Sequence, residues 1–263
     1  MRAFYYPGCS SEHLARDLHL SVETLFSVLG IEIENLEDWN CCGAREIHDY
    51  QDLLGLSLAA RNLALAEKGD LLVTACSLCF FNLKRAEKIL REDQDLLQKI
   101  NTILGEADLS YHPGKVHILH LLEFLSIKEN FSRLLKQIKG EDKTSVVPYY
   151  GCFLSRPFPF DLSTMEKILR ILGYEVKPFT LKSHCCGGHL PRTNSPTIQE
   201  LCGRILLEAE MRGADFIAVT CPVCKLNLEI YGFREGLPRI IYFTQLIGLR
   251  LGLPNSLLGL PGE

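Results

Sequence analysis

The chain has no surplus of positive charge. Its 28 Lys and Arg stand against 32 Asp and Glu, for a net charge of −4, which argues against a nucleic-acid surface, because such surfaces neutralise phosphates with clustered cations. Long apolar runs are also missing. The opening residues Met1 to Cys9 contain no apolar core of secretory-signal length, and no uninterrupted apolar stretch reaches the roughly 18 residues of a membrane span. The expectation is a cytoplasmic protein without a transmembrane segment. Neither a G-x-G-x-x-G fingerprint nor a C-x-x-C-x-x-C ferredoxin run occurs, which excludes a dinucleotide or flavin site of that type and conventional ferredoxin clusters within this chain.

Cysteine is what the chain has in excess: 11 in 263 residues. In a reducing compartment that many thiols read as metal ligands or redox groups. A disulfide scaffold is disfavoured by the odd count, by a length sufficient for an ordinary core, and by adjacent cysteines, which bridge poorly. Ten of the 11 form one pattern written twice. The first copy is Cys9, then Cys41 and Cys42 followed by Gly43, then Cys76 and Cys79 as C-x-x-C; the second is Cys152, Cys185 and Cys186 followed by Gly187, then Cys221 and Cys224. Equivalent cysteines are offset by 143, 144, 144, 145 and 145 positions. The chain therefore reads as a tandem duplication with two similar metal centres, divided into residues 1–143 and 144–263.

Each repeat alternates short β-rich runs with amphipathic helical patterns, the signature of an α/β unit with a mostly parallel sheet flanked by helices. The two repeats are expected to be related by pseudo-two-fold symmetry. Four strands are expected to lead into cysteines: Ala3 to Tyr6, Leu71 to Ala75, Ser145 to Tyr150 and Phe216 to Thr220. Ligands of open α/β sheets gather beyond the carboxyl ends of strands, so this placement is coherent. Leu14, Leu18, Val22, Leu25 and Leu29 mark one face of a helix stopped by Gly30, and Met165, Ile168, Leu169 and Leu172 repeat the arrangement before Gly173. These stripes read as core. Helices near 52–67 and 197–212 should follow the Cys-Cys-Gly segments. The halves differ after the C-x-x-C, where the first carries an extra polar segment, about 93–114, read as a solvated insertion. The charge-rich stretch 127–144 reads as a link between repeats, and the Gly- and Pro-rich tail from Leu251 as exposed and frayed or packed on a neighbouring protein chain.

Thiolates at C-x-x-C spacing turn two sulfurs toward one centre, for zinc or for iron–sulfur clusters. Four ligands satisfy zinc, so a fifth in each copy favours a polynuclear cluster. Gly43 and Gly187 let the backbone turn after two adjacent cysteines and approach an inorganic core. In sequence, Cys9 through Cys79 and Cys152 through Cys224 resemble the cysteine-rich CCG domain of the heterodisulfide reductase B subunit family over nearly the whole chain. That resemblance implies two non-cubane four-iron four-sulfur clusters, one held by Cys9, Cys41, Cys42, Cys76 and Cys79 and one by Cys152, Cys185, Cys186, Cys221 and Cys224. It implies an oxidoreductase subunit that splits a disulfide between the two clusters, or runs the reverse thiol oxidation, by paired one-electron transfers. Electrons would come from a ferredoxin-like C subunit and a flavin-containing A subunit. Two alternatives stay open: an electron-transfer subunit of a quinone- or sulfur-metabolising oxidoreductase, and a non-catalytic zinc-binding scaffold.

Residues beside the cysteines supply further candidates. Asn82 and Asn227 each follow the last cysteine by three positions and could donate to a cluster sulfide or cap a helix. Pro222 lacks the backbone donor that Ser77 keeps, so the two centres need not share a potential. His48, His184 and His189 flank the Cys-Cys-Gly segments as possible proton donors, each with a competing reading as a surface group. Arg45, Arg156 and Lys182 could attract an anionic substrate group but read first as solvated charges. Cys202, outside the pattern, reads as a buried helix thiol.

Overall fold

The computed structural model describes residues 2–44, 47, 51–138, 143–190, 194–232 and 236–262. Packing gathers the chain into two compact units: Met1–His13 with Glu32–Phe124, and Leu14–Ile31 with Leu125–Glu263.

The first unit holds four strands, β1 (Ala3–Tyr5), β2 (Glu34–Asn35), β3 (Leu71–Thr74) and β4 (His117–His120), in the order β2-β1-β3-β4. Every pairing is parallel. The central strands are buried on both faces, as sheets covered by helices require, which is why β3 reads as the unbroken apolar-to-Thr run Leu71-Leu72-Val73-Thr74. The order has a physical consequence for the site. From β1 the chain moves outward to β2 and then returns to place β3 on the other side of β1, so the carboxyl ends of β1 and β3 flank a crevice.

The second unit repeats this sheet with β5 (Ser145–Tyr149), β6 (Glu175–Val176), β7 (Phe216–Val219) and β8 (Arg239–Tyr242), ordered β6-β5-β7-β8 and again all parallel. Asp70 and Asp215 precede β3 and β7 and steady the neighbouring strand: their carboxylates accept from the amides of Arg2 and Ser145, both at 2.7 Å.

Both expected helix stops are present, with Gly30 at φ 60° and Gly173 at φ 92°. Leu18, Val22, Leu25 and Leu29 are buried on the helix Arg16–Leu29, whereas Leu14 precedes the helix and is 70% exposed, so it leaves the expected core stripe. That helix belongs to the second unit. It packs on the helix Phe243–Arg250, where the hydroxyls of Ser21 and Thr244 lie 2.7 Å apart. The packing division thus departs from the repeat division in residues 14–31 and 125–143.

Three segments are more ordered than their composition suggested. Within 93–114, Asp93 caps the helix Gln94–Gly105 by accepting from Leu96 N, and Ile100, Leu104 and Tyr111 are buried; this insertion packs on the helix Asp52–Ala66 rather than standing in solvent. The charge-rich link contains the helix Lys128–Gln137, whose Leu134 is buried and whose Arg133 donates to Gly30 O. The tail is docked on its own chain. Leu258 is fully buried, Thr24 Oγ1 donates to Leu257 O and Gln245 Nε2 to Leu258 O, both at 2.9 Å.

Candidate metal centres

In each unit the five pattern cysteines come from three loops at the carboxyl edge of the sheet. Cys9 opens the turn after β1, and Cys76 and Cys79 sit at the N-cap and third position of the helix Ser77–Glu92 after β3. Cys41 and Cys42 arrive on the loop beyond β2. The second unit places Cys152, Cys221 and Cys224, and Cys185 and Cys186, in the same way. Two of the three loops therefore flank the crevice between the central strands, and the C-x-x-C of each unit occupies a helix N-terminus, where the helix dipole favours negative charge. Pro222 occupies the first helical position in the second unit, where a missing N–H is tolerated.

The thiols touch one another pairwise. Cys186 Sγ lies 3.4 Å from Cys224 Sγ, and Cys152 Sγ lies 3.8 Å from Cys185 Sγ. In the first unit Cys9 bonds Cys41, Cys41 bonds Cys42, and Cys79 bonds both Cys42 and Cys76. Cys42, Cys76, Cys79, Cys186, Cys221 and Cys224 are buried; Cys9 is exposed, and Cys41, Cys152 and Cys185 are half-buried. Each site thus has a buried floor and one edge open to the surface.

Crowded thiols cannot all ionise. The hydrogen bond Cys9 gives to Cys41, with burial, holds the Cys9 thiol far above its ordinary range, and the bonds from Cys42 and Cys9 pull Cys41 down to about 2. Cys42 is pushed up to about 12, first by its bond to Cys41. In the second unit the bond to Cys185 raises Cys152, and Cys185 falls to about 5. Converting such a set to thiolates requires a cationic core that takes the place of the protons.

The surroundings fit an iron–sulfur core. Five soft sulfur donors in each unit, arranged as a chain of contacts, match the ligand preference of iron–sulfur centres. The cradle is made of glycine. A Cβ on Gly8 would lie 2.9 Å from Cys79 Sγ, and one on Gly151 would lie 3.1 Å from Cys224 Sγ. Gly43 and Gly187 have the expected positive φ, 73° and 77°, but a Cβ there would strike Gly55 O at 2.6 Å and Ile198 at 3.1 Å. Their close approach is to the following helix, not to the sulfurs. They act on the thiols through the backbone instead: Gly187 N donates to Cys185 Sγ at 3.3 Å, and Gly43 and Ala44 amides bond Cys41.

Asn82 and Asn227 are both buried and reach back to the second cysteine of each pair, so neither caps a helix. Asn82 Nδ2 is 3.5 Å from Cys42 Sγ; Asn227 Nδ2 donates to Cys186 O at 3.0 Å. His189 Nδ1 lies 3.3 Å from Cys185 Sγ. His184 contributes its carbonyl, which accepts from Tyr149 OH, while the residue itself is exposed. His48 and Arg45 lie outside the described residues. Lys182 is half-buried and paired, its ammonium bonding Glu166 and Leu162 O, both at 2.7 Å. Arg156 is exposed and donates to Ser183 O at 3.3 Å. Cys202 is fully buried, donates to Cys186 O at 3.4 Å, and is pushed up to about 12 by burial and then by Cys186 and Cys185.

Sequence reasoning passed over Tyr6 and Tyr149. Both are buried against four of their unit's thiols, which with desolvation hold the phenols well above their usual range. Tyr6 OH donates to Asn40 O and Tyr149 OH to His184 O, each carbonyl preceding a Cys-Cys pair. The signal was present as Tyr-x-Gly-Cys, repeated at residues 6–9 and 149–152. Asn62 was missed too; wholly buried, it accepts from Asn40 N at 2.9 Å and returns a bond to Asn40 O at 2.9 Å, clasping the loop before Cys41.

Residues 3–84 and 146–229 match the cysteine-rich domain CCG. The chain is 33% identical, over 97% of its length and 94% of the relative's, to the 8-methylmenaquinol:fumarate reductase membrane anchor subunit of Wolinella succinogenes. A protein of Archaeoglobus profundus described as like the B subunit of heterodisulfide reductase is 28% identical over 96% of this chain and 92% of its own. The B subunit of the ferredoxin/F(420)H(2)-dependent CoB-CoM heterodisulfide reductase of Methanosarcina acetivorans is 25% identical over 97% and 91%. In fold, the chain resembles the crystal structure of a hypothetical protein from Helicobacter pylori, with a TM-score of 0.78 over 98% of this chain at 14% identity, and it spans 50% of that protein's length. With both cysteine-rich segments matched and relatives aligned from end to end, the chain belongs to the CCG cysteine-rich domain family and carries two copies of that domain.

Proposed function

We propose that this chain is the sulfur-handling subunit of a multi-subunit oxidoreductase, and that each five-cysteine set holds one non-cubane four-iron four-sulfur cluster. The reaction is RSSR′ + 2e⁻ + 2H⁺ → RSH + R′SH, or its reverse. The observation that carries the reading is that both five-thiol sets are complete and each has a thiol edge open to the surface beside a buried floor. When bound, a cluster supplies one electron at a time and an iron to which a product sulfur can bind. The chain's residues do the rest. The buried cysteines fix the core, Gly8 and Gly151 leave it room, and Tyr6 and Tyr149 tie down the loops carrying the adjacent cysteines. His189, at the edge of the second site, is placed to hold a proton close to Cys185. A ferredoxin-like C subunit and a flavin-containing A subunit would deliver the electrons, since no such motif occurs in this sequence.

A second reading is favoured by the relative from Wolinella succinogenes, whose name places it in a quinol:fumarate reductase. In that case the same sites would pass electrons between a quinol and partner proteins. No helix among the described residues is long and apolar enough to cross a membrane. Anaerobic isolation followed by iron, sulfide and zinc analysis tests the shared premise: about four irons and four sulfides per repeat are expected, and stoichiometric zinc without sulfide refutes it. Adding a thiol pair or a menaquinol analogue to the oxidised protein then separates the two readings. A spectral change produced by thiols supports disulfide chemistry, and one produced by the quinol alone overturns it.

A further inference from the structure

The two thiol sets have the same ligands and different hydrogen-bond environments. Asn82 and Asn227 occupy equivalent positions in the repeat, and both are buried. In the first unit the amide is aimed at sulfur, with Nδ2 3.5 Å from Cys42 Sγ. In the second it is turned onto the backbone: Nδ2 donates to Cys186 O at 3.0 Å and stands 4.0 Å from Cys186 Sγ. Cys202 donates to that same carbonyl at 3.4 Å, so the peptide is held from two sides.

The helix starts lean the same way. Ser77 keeps an N–H at the first position of its helix, where Pro222 has none. Backbone donors reach the first cysteine of each pair in both units, from Gly43 and Ala44 to Cys41 and from Gly187 to Cys185 at 3.3 Å. His189 Nδ1 at Cys185 works in the opposite direction, and it does so only when that nitrogen carries its proton.

An N–H directed at a ligand sulfur stabilises the more negative, reduced state of an iron–sulfur centre and raises its potential. We infer that the two centres are electronically unequal, with the first-repeat centre reduced at the higher potential, and that Asn82 is a positioning residue responsible for much of the difference. This rests on the cluster reading above.

Spectroscopically monitored redox titration of the anaerobically prepared full chain tests it. Wild type should show two one-electron potentials. Asn82→Leu should lower the higher one by about tenfold in its reduction equilibrium, about 59 mV, and leave the other in place, while Asn227→Leu should move the lower potential by less than half as much. If Asn82→Leu holds less iron and sulfide than wild type, Asn82→Met, which removes the N–H and adds no charge, is read in its place with the same expectation. A wild type with one common potential, or an Asn82 variant that shifts neither centre or both alike, overturns this inference alone. A wild type without sulfide overturns the cluster reading instead.

Discussion

Gly8→Ala isolates the link between backbone geometry and the first thiol site. Gly8 has φ 77° and ψ 158°, a region essentially closed to residues with a Cβ and costing about 1–3 kcal/mol when one is forced there. The added methyl would also sit 2.9 Å from Cys79 Sγ. That sulfur has little freedom to retreat, because Cys79 is buried and bonded to Cys42 and Cys76. A loss of about 2 kcal/mol corresponds to a fall of roughly 9 °C in Tm for a folding unit the size of the first, at about 2.1 cal/mol/K of unfolding entropy per residue. Calorimetry of the metal-free chain should show the fall, and anaerobic preparation should give close to half the wild-type iron, with the second site filled. Gly203→Ala is the control of opposite sign: it lies within the helix Ser195–Met211, its Cβ would meet nothing within 4 Å, and it should stabilise the fold by about 0.5–1 kcal/mol. Wild-type Tm and full iron content in Gly8→Ala would refute the idea that this glycine makes room for Cys79.

Leu258→Ala removes a fully buried side chain that fills the space over Gly248 and should cost about 2–4 kcal/mol in denaturant unfolding; an unchanged midpoint would mean that the tail contributes no core. Asp215 accepts from the hydroxyl and amide of Ser145, each at 2.7 Å, and these bonds hold its carboxyl below the usual 3.8. The unfolded chain therefore binds that proton more readily. The contribution is complete above about pH 4 and lost as pH falls through the folded value. Asp215→Asn should cost roughly 1 kcal/mol near neutrality and flatten the acid limb of stability against pH; an unaltered slope below pH 4 would contradict the assignment.

What could be read in the sequence was what period and spacing encode. The strands ending at Tyr5, Thr74, Tyr149 and Val219 were visible because buried parallel strands are short apolar runs that stop at Gly or Cys. The repeated cysteine pattern likewise located three loops per site. Non-local packing left no such trace. The insertion looked polar because only Ile100, Leu104 and Tyr111 of its residues are needed to seat it. The tail looked frayed because its Gly and Pro content hid one decisive residue, Leu258. Lys182 resembled a free cation since its partner Glu166 lies 16 positions away in the chain. The strand registers pair Thr74 with His120 and Val219 with Tyr242, which makes His120 and Tyr242 counterparts, a match that only the pairing reveals. Glycines were read correctly as necessary and only partly correctly as to what they face.

The placement of the helix Arg16–Leu29 separates two notions that a duplicated sequence invites one to merge. The stretch that was copied is not the stretch that folds. A fragment beginning at residue 144 would carry a whole second cysteine set yet leave the helix Phe243–Arg250 without the helix that packs on it in the intact chain, and a fragment ending at residue 143 would carry the helix Arg16–Leu29 without the helix Phe243–Arg250 and the tail that pack on it. Each half can accumulate substitutions around its own thiols, as the surroundings of Asn82 and Asn227 illustrate, while the second completes its packing only with the helix that the first supplies.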